Sequence, residues 1–212
     1  LHTAYRRQRQ MCIRDSLMAD FARVREHLEA RGFTVSCFAT AAEACDYLDR
    51  TLDGKSIGIG GSVTIRDMGL AERLGTHNRI VWHWAGGTAQ EASETQIYLS
   101  SVNGLAETGE IINIDGTGNR VASGLYGHEK VYFIVGRNKL APDYDAALWR
   151  ARNIAGPKNA QRLQKKTPCA VKGDKCYDCK SPERICSALV VYWRKPSSMD
   201  FEVVLVDEDL GF

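Results

Sequence analysis

Lys130-Val-Tyr-Phe-Ile-Val135 is a run of β-branched and aromatic residues with a single charge at its start. It reads as a buried strand, because nothing in it offers a polar face to water. Downstream, Tyr144, Ala147, Leu148 and Ala151 fall on one face of a helix spanning Asp143 to Ile154. Gly156-Pro157 is expected to break that helix. Ala188 to Trp193 and Phe201 to Val206 then read as two closing strands joined by a polar loop containing Pro196.

Upstream the elements alternate. Phe21, Val24 and Leu28 make a helical stripe that ends at Gly32, and Phe33 to Phe38 alternates like a strand. Thr40 with Glu43 is a capping box for a helix to about Leu52. Ser56 to Gly60 reads as a buried strand, and a helix is expected from about Thr64 to Leu74. Arg79 to Trp84 is a strand, Ala85 to Ser93 a polar loop, and Gln96 to Val102 a strand. Glu110 to Ile114 is a short strand, and Val121 to Tyr126 a short helix. This order implies an α/β domain with a largely parallel sheet flanked by helices.

The chain has 212 residues, 44% hydrophobic and 25% charged, which suits one globular domain with a proper core or two very small ones. No apolar run approaches the roughly 20 residues of a membrane helix. Residues 1–17 carry four arginines and no apolar core segment, so they do not form a secretory signal. Met11-Cys-Ile-Arg-Asp-Ser16 resembles translated adapter sequence. Residues 1–17 are therefore read as a non-native or disordered leader, with the domain over 18–212. The formal charge of the chain is +2, so removing the leader's +3 leaves −1. No basic stripe of the kind nucleic-acid binding needs remains.

Seven cysteines in a chain without a secretory signal do not suggest a disulfide framework, and the expected compartment is the cytoplasm. Cys12 lies in the leader, and Cys37 and Cys45 read as small core residues. Cys169, Cys176, Cys179 and Cys186 are clustered within 168–187 at spacings x6, x2, x6. Thiolates are soft ligands suited to iron–sulfur clusters or zinc, and a Cys-x2-Cys pair brings two of them to one centre. Lys172, Lys175, Lys180 and Arg184 would offset the charge of such a site. A redox dithiol, disulfides and unrelated thiols are the other readings, and spacing alone does not separate zinc from iron–sulfur.

Two polar stretches follow strands. Gly60, Gly61, Ser62 and Thr64 form a glycine turn opening a helix, where an anion or a simple tight turn would fit. It lacks the lysine of a Walker motif and the third glycine of a dinucleotide fingerprint. Ser101 to Arg120 holds Asn103, Glu107, Asp115, Gly116, Gly118, Asn119 and Arg120. Glu107 and Asp115 are candidate bases, and Arg120 a candidate carboxylate or phosphate holder. Asx turns would explain the same residues without a ligand. Lys139 could reach the same face or lie in solvent. His77, His83 and His128 are isolated and receive no role. On this reading, replacing Arg120 or Ser62 by Ala weakens an anionic ligand without unfolding the protein.

Taken together, Gly60 to Thr64, Ser101 to Gly104 with Glu107 to Glu110, Asn113 to Arg120, Val135 to Lys139 and Val206 to Gly211 resemble the LUD-domain family, the lactate-utilisation proteins. The resemblance runs from about Met18 to the C-terminus. Asn103-Gly104 departs from the Asn-Ala of many relatives. The resemblance implies a fold like the sugar-phosphate isomerase and CoA-transferase superfamily, with the Gly60 and Asn113–Arg120 loops lining one pocket for a carboxylate or phosphate. It also implies a part in oxidising lactate to pyruvate with redox partner subunits, and it tips the metal toward iron–sulfur. No catalytic residue carries over.

Three functions fit. One is a component of a lactate or 2-hydroxy-acid oxidation system with a metal or iron–sulfur centre. Another is a stand-alone phosphosugar or CoA-ester isomerase or transferase with a structural zinc. The last is a non-enzymatic, metal-dependent binding or regulatory module. The chain shows no flavin or nicotinamide signature, so a redox step is expected to need another subunit.

Overall fold

The structure, a computed structural model, describes residues 21–212. The leader reading and Cys12 lie outside the described residues. Helix α1 covers residues 21–30, with Phe21, Val24 and Leu28 buried at three- and four-residue spacing. Then come β1 (Thr34–Phe38), α2 (Ala41–Thr51), β2 (Ser56–Ile59), α3 (Val63–Asp67), α4 (Leu70–Leu74), β3 (Arg79–Trp82), α5 (Ala89–Ser93) and β4 (Ile97–Ser100). They are followed by β5 (Gly104–Ala106), β6 (Ile111–Asp115), α6 (Asn119–Ser123), β7 (Lys130–Gly136), β8 (Leu140–Ala141) and α7 (Tyr144–Arg150). Helices α8 (Gly156–Arg162) and α9 (Pro168–Lys172) and strands β9 (Ala188–Tyr192) and β10 (Asp200–Val206) complete the chain.

Six strands form one sheet in the order β1-β10-β7-β4-β2-β3, every pairing parallel. The pleat explains the sequence of β7. Val131, Phe133 and Val135 enter the core layer that holds α1, while Tyr132 and Ile134 enter the layer that holds α2, α3 and α4. A strand covered on both faces has no polar side, so its run is apolar throughout.

Several local expectations need correction. The helix expected from Thr64 to Leu74 is two helices, broken where Gly69 adopts φ +63°. The stretch from Ala85 to Ser93 contains α5, whose Thr88 and Glu91 form a capping box. At α2, Thr40 accepts from the Glu43 amide at 3.2 Å, but the Glu43 carboxylate reaches Ala39 rather than Thr40. Gly156-Pro157 does not end the helix after α7. Ala151–Ala155 widens to a π-helix, and α8 continues through buried Pro157 to Arg162. The i→i+5 spacing lets the helix pass a residue that has no N–H to donate.

A second sheet, β8-β5-β6-β9, was not legible. Its β5 and β8 have three and two residues, too few for a period. The two closing strands separate. β10 lies inside the large sheet, and β9 pairs antiparallel with β6.

The connection from β2 leaves toward β3 through α3 and α4, whereas the one from β4 leaves toward β7 through the second sheet, in the opposite layer. The carboxyl ends of β2 and β4 therefore flank a topological switch point, where open α/β sheets form a crevice.

Candidate functional site

The crevice is built by loops that follow strands. Gly61 to Thr64 come after β2, His83 and Trp84 after β3, Ser101 to Asn103 after β4, and Lys139 after β7. A cavity of about 80 Å³ is lined by Gly61, Ser62, Thr64, Ser101, Asn103 and Ile114, with Arg120, Lys139, Asn159 and Arg162. It adjoins an outer space of about 440 Å³ that adds His83, Asp115, Gly116, Asn119 and Arg184.

Lys139 is buried at 3% exposure, so the solvated reading does not hold. Its Nζ donates to Thr64 Oγ1 at 2.8 Å and Ser101 Oγ at 2.7 Å. Burial, together with the Arg150 and Arg120 guanidinium groups, pushes its pKa well below the usual lysine range. Arg162 lies over the Trp84 ring at 4.9 Å and donates to Asn159 Oδ1 at 2.9 Å. Burial and Arg66 lower its pKa. Among the described residues neither Lys139 nor Arg162 makes a salt bridge. Cationic groups gathered with little acidic compensation make this pocket suited to an anion.

Arg120 is more deeply committed than the sequence implied. It donates to Ser101 O, Asn113 Oδ1, Asn103 Oδ1 and Ile114 O at 2.6–3.2 Å. Its Nε stands 3.6 Å from Asp115 Oδ2. A guanidinium has five N–H groups, so Arg120 offers the pocket charge and not a free donor fork. The expectation that Arg120→Ala would leave the fold untouched is corrected accordingly. Ser62 caps α3 by accepting from the Ile65 amide at 3.3 Å while lining the cavity, so its role is at least partly structural.

The remaining residues divide. Gly60 packs where a Cβ would stand 2.5 Å from the Tyr98 hydroxyl and 3.0 Å from Arg120 Cγ. Asn103 Oδ1 accepts from the Ile114 amide as well as from Arg120. Asp115 Oδ1 accepts from the Thr117 and Gly118 amides at 3.0 Å, an Asx turn, while its buried Oδ2 has no hydrogen-bond partner. Gly118 is the N-cap of α6. Glu107 is not brought into either cavity. Its carboxylate faces Arg23 at 3.8 Å and its amide bonds Ala141 O.

Cys169, Cys176, Cys179 and Cys186 all line one further cavity, of about 320 Å³. None is in a disulfide, and each is partly exposed. Arg184 donates to the carbonyls of Cys179 at 2.8 Å and Cys186 at 2.9 Å, which ties these two cysteines together. The Asp178 amide donates to Cys176 Sγ at 3.4 Å, and Arg152 Nη2 lies 3.9 Å from the same sulfur. Among the described residues no three Cys, His, Asp or Glu side chains are gathered closely enough to hold a single ion. The donor set fits a larger sulfur-ligated group, since four thiols line one space roomy enough for several atoms and one backbone amide donates to Cys176 Sγ. Ile114 lines both this cavity and the cationic one, and Arg184 and Ile185 line it together with the outer space.

Sequence reasoning missed Arg162, Asn159 and Trp84. Arg162 and Asn159 sit on α8, hidden by the expectation of a break at Pro157. It also missed Arg150, whose guanidinium joins Asn138 O, Asn103 O and Phe212 O behind the pocket. No helix among the described residues is long and apolar enough to cross a membrane.

No curated protein matches the sequence. A solved structure of a DUF162 family protein from Deinococcus radiodurans is similar in fold, with a TM-score of 0.51 at 10% identity, over 89% of this chain and 97% of that one. A ribose 5-phosphate isomerase from Plasmodium falciparum overlaps only in part, with a TM-score of 0.32 at 12% identity, over 48% of this chain and 52% of that one. The family model for the LUD domain matches residues 21–206, from the first described residue of α1 to the last of β10. The chain belongs to the LUD domain family.

Proposed function

We propose that this chain is a component of a lactate or 2-hydroxy-acid oxidation system. It binds a small anion, a carboxylate or phosphate, in the pocket of Lys139, Arg120 and Arg162. It carries an iron–sulfur cluster on Cys169, Cys176, Cys179 and Cys186. The observation that carries this reading is the wall of Ile114 shared by the four-cysteine cavity and the cationic pocket. Family membership adds the link to lactate utilisation.

A bound cluster would supply one-electron transfer. The chain's own residues do the rest. Arg120 and Arg162 draw in and orient the anion, Lys139 borders it, and Trp84 and Ile114 wall the pocket with apolar surface. The four cysteines would hold the group, and their partial exposure would leave it accessible to a redox partner subunit. The cavity of about 320 Å³ favours a multi-atom cluster over one zinc ion.

Anaerobic purification followed by iron, acid-labile sulfide and zinc analysis tests the proposal. A brown protein with iron and sulfide, lost when any of the four cysteines becomes serine, is expected. A colourless protein holding stoichiometric zinc, or holding no metal, overturns the cluster.

A further inference from the structure

Lys139 is held by two hydroxyls whose own protons are committed elsewhere. Thr64 Oγ1 donates to Leu210 O at 3.2 Å, and Ser101 Oγ donates to Ile134 O at 2.6 Å. Each hydroxyl therefore faces Lys139 Nζ as an acceptor. Two N–H groups satisfy both, and a neutral amine has two. The third proton of an ammonium would need another acceptor, and among the described residues Nζ has none. The charged groups acting on it are Arg150 and Arg120, both cations. Asp115 is turned to Arg120, and Asp209 acts on Arg150. In the neutral amine the remaining position on nitrogen is a lone pair, and Lys139 lines the cationic pocket.

We infer that Lys139 is an uncharged amine nucleophile and that the pocket's ligand is a 2-oxo acid, captured through its carbonyl as an imine. The inference rests on the reading of this pocket as an anion site. The ligand's carboxylate meets the positive field of Arg120 and Arg162, which leaves its adjacent carbonyl beside Nζ. An inner cavity of about 80 Å³ suits so small a molecule. The lone pair adds to the carbonyl carbon as the C=O π electrons move to oxygen, which takes up a proton to give a carbinolamine. That oxygen leaves as water, taking a second proton, while nitrogen gives up its two protons and forms the C=N bond. The balance is amine plus carbonyl to imine plus water, with no oxidant or reductant consumed. Such use of a desolvated lysine flanked by other cations is established chemistry.

The test uses the full chain with its metal content intact. Pyruvate is added at neutral pH with borohydride, and the product is read by intact mass and peptide mapping. Binding of pyruvate and of inorganic phosphate is measured separately by calorimetry. The expected product is one adduct on Lys139, heavier by the ligand less one oxygen atom and suppressed by phosphate. Its yield should exceed that at any other lysine by at least about tenfold, as a neutral amine among protonated ones requires. Lys139→Arg, which removes the amine nucleophile, is expected to bind phosphate and give no adduct. Mapping of the unmodified sequence decides the matter if that variant does not fold. Pyruvate binding with no adduct at Lys139, or adducts spread evenly over surface lysines, overturns the imine and leaves the anion pocket standing. Failure of both pyruvate and phosphate to bind overturns the pocket itself and the inference with it.

Discussion

A Cβ on Gly116 would stand 2.7 Å from the carbonyl oxygen of Ile185, so the loop after β6 and the segment carrying Cys179 and Cys186 meet with no room for a side chain. The Ser187 amide, donating to Asp115 O at 2.8 Å, holds the same contact closed. The Cβ is fixed by its own backbone and the Ile185 oxygen is a backbone atom, so neither can rotate away. Gly116→Ala is therefore expected to push the cysteine segment outward at a cost of about 1–3 kcal/mol. Each kcal/mol lowers Tm by about 2–4 °C in a chain of this size. Thermal unfolding with parallel iron analysis checks it. A variant with wild-type Tm and iron content would show that the two sites are not pressed together.

Arg184 is expected to matter to the cysteine site although it ligates nothing. Its guanidinium fixes the carbonyls of Cys179 and Cys186 and also faces Asp178 at 3.2 Å. Outer partners of this kind typically change metal affinity by about 10–100-fold. If the proposed cluster is bound, Arg184→Ala should lower its affinity by about that factor, read by chelator competition, while far-ultraviolet circular dichroism stays unchanged. Equal competition by the chelator in parent and variant would remove Arg184 from the site.

Glu202 gives the fold a pH dependence of known sign. Its side chain, 1% exposed within β10, accepts from Ser36 Oγ, Tyr47 Oη and Lys130 Nζ, each at 2.7 Å. Burial alone would raise its pKa, but the three donors together outweigh burial and the net shift is downward. A carboxylate with a depressed folded pKa stabilises fully above the unfolded value, about 4.3, and loses that contribution as pH falls through the folded value. Glu202→Gln should flatten the acid limb of the stability curve and cost about 3–5 kcal/mol at neutral pH, because Lys130 loses its counter-charge. Denaturant titrations between pH 3 and 7, taken as roughly the window of carboxylate titration, check both effects. An acid limb unchanged by the substitution would assign that limb to other carboxylates.

What the sequence disclosed followed from period and composition. Val131 to Val135 announced a strand covered on both faces because every residue there enters one core layer or the other. The family resemblance expects the Gly60 loop and the Asn113–Arg120 loop to line one pocket, and Gly61, Ser62 and Thr64 share a cavity with Ile114 and Arg120. Arg162 escaped because a local rule, that proline ends helices, was overridden by a π-helical turn that cannot be read from one sequence. Lys139 was ambiguous for another reason. Burial of a lysine depends on Thr64 and Ser101, 75 and 38 residues away, and no local pattern encodes such a meeting. The four cysteines were legible as a group through spacing, but the wall they share with the pocket depends on the pairing of β9 with β6.

Arg120 and Arg162 line the same cavity and are expected to respond oppositely to removal. Arg120 joins Ser101 and Asn103 on the loop after β4 to Asn113 and Ile114 on β6, and its loss leaves buried acceptors unsatisfied. Hydrogen bonds from a charged donor contribute about 1.5–3 kcal/mol each, so Arg120→Ala should unfold or severely destabilise the protein. Arg162 instead makes one side-chain hydrogen bond, to Asn159 three residues away on its own helix, and rests on Trp84. Arg162→Ala should cost little stability, on the order of 1 kcal/mol, since a single neutral-acceptor bond is lost. It should weaken phosphate or pyruvate binding by about tenfold, the effect of roughly 1.4 kcal/mol of lost electrostatic attraction. Calorimetric titration beside thermal unfolding of both variants separates the roles. If Arg162→Ala binds both anions as the parent does, the cation facing the ligand is another residue.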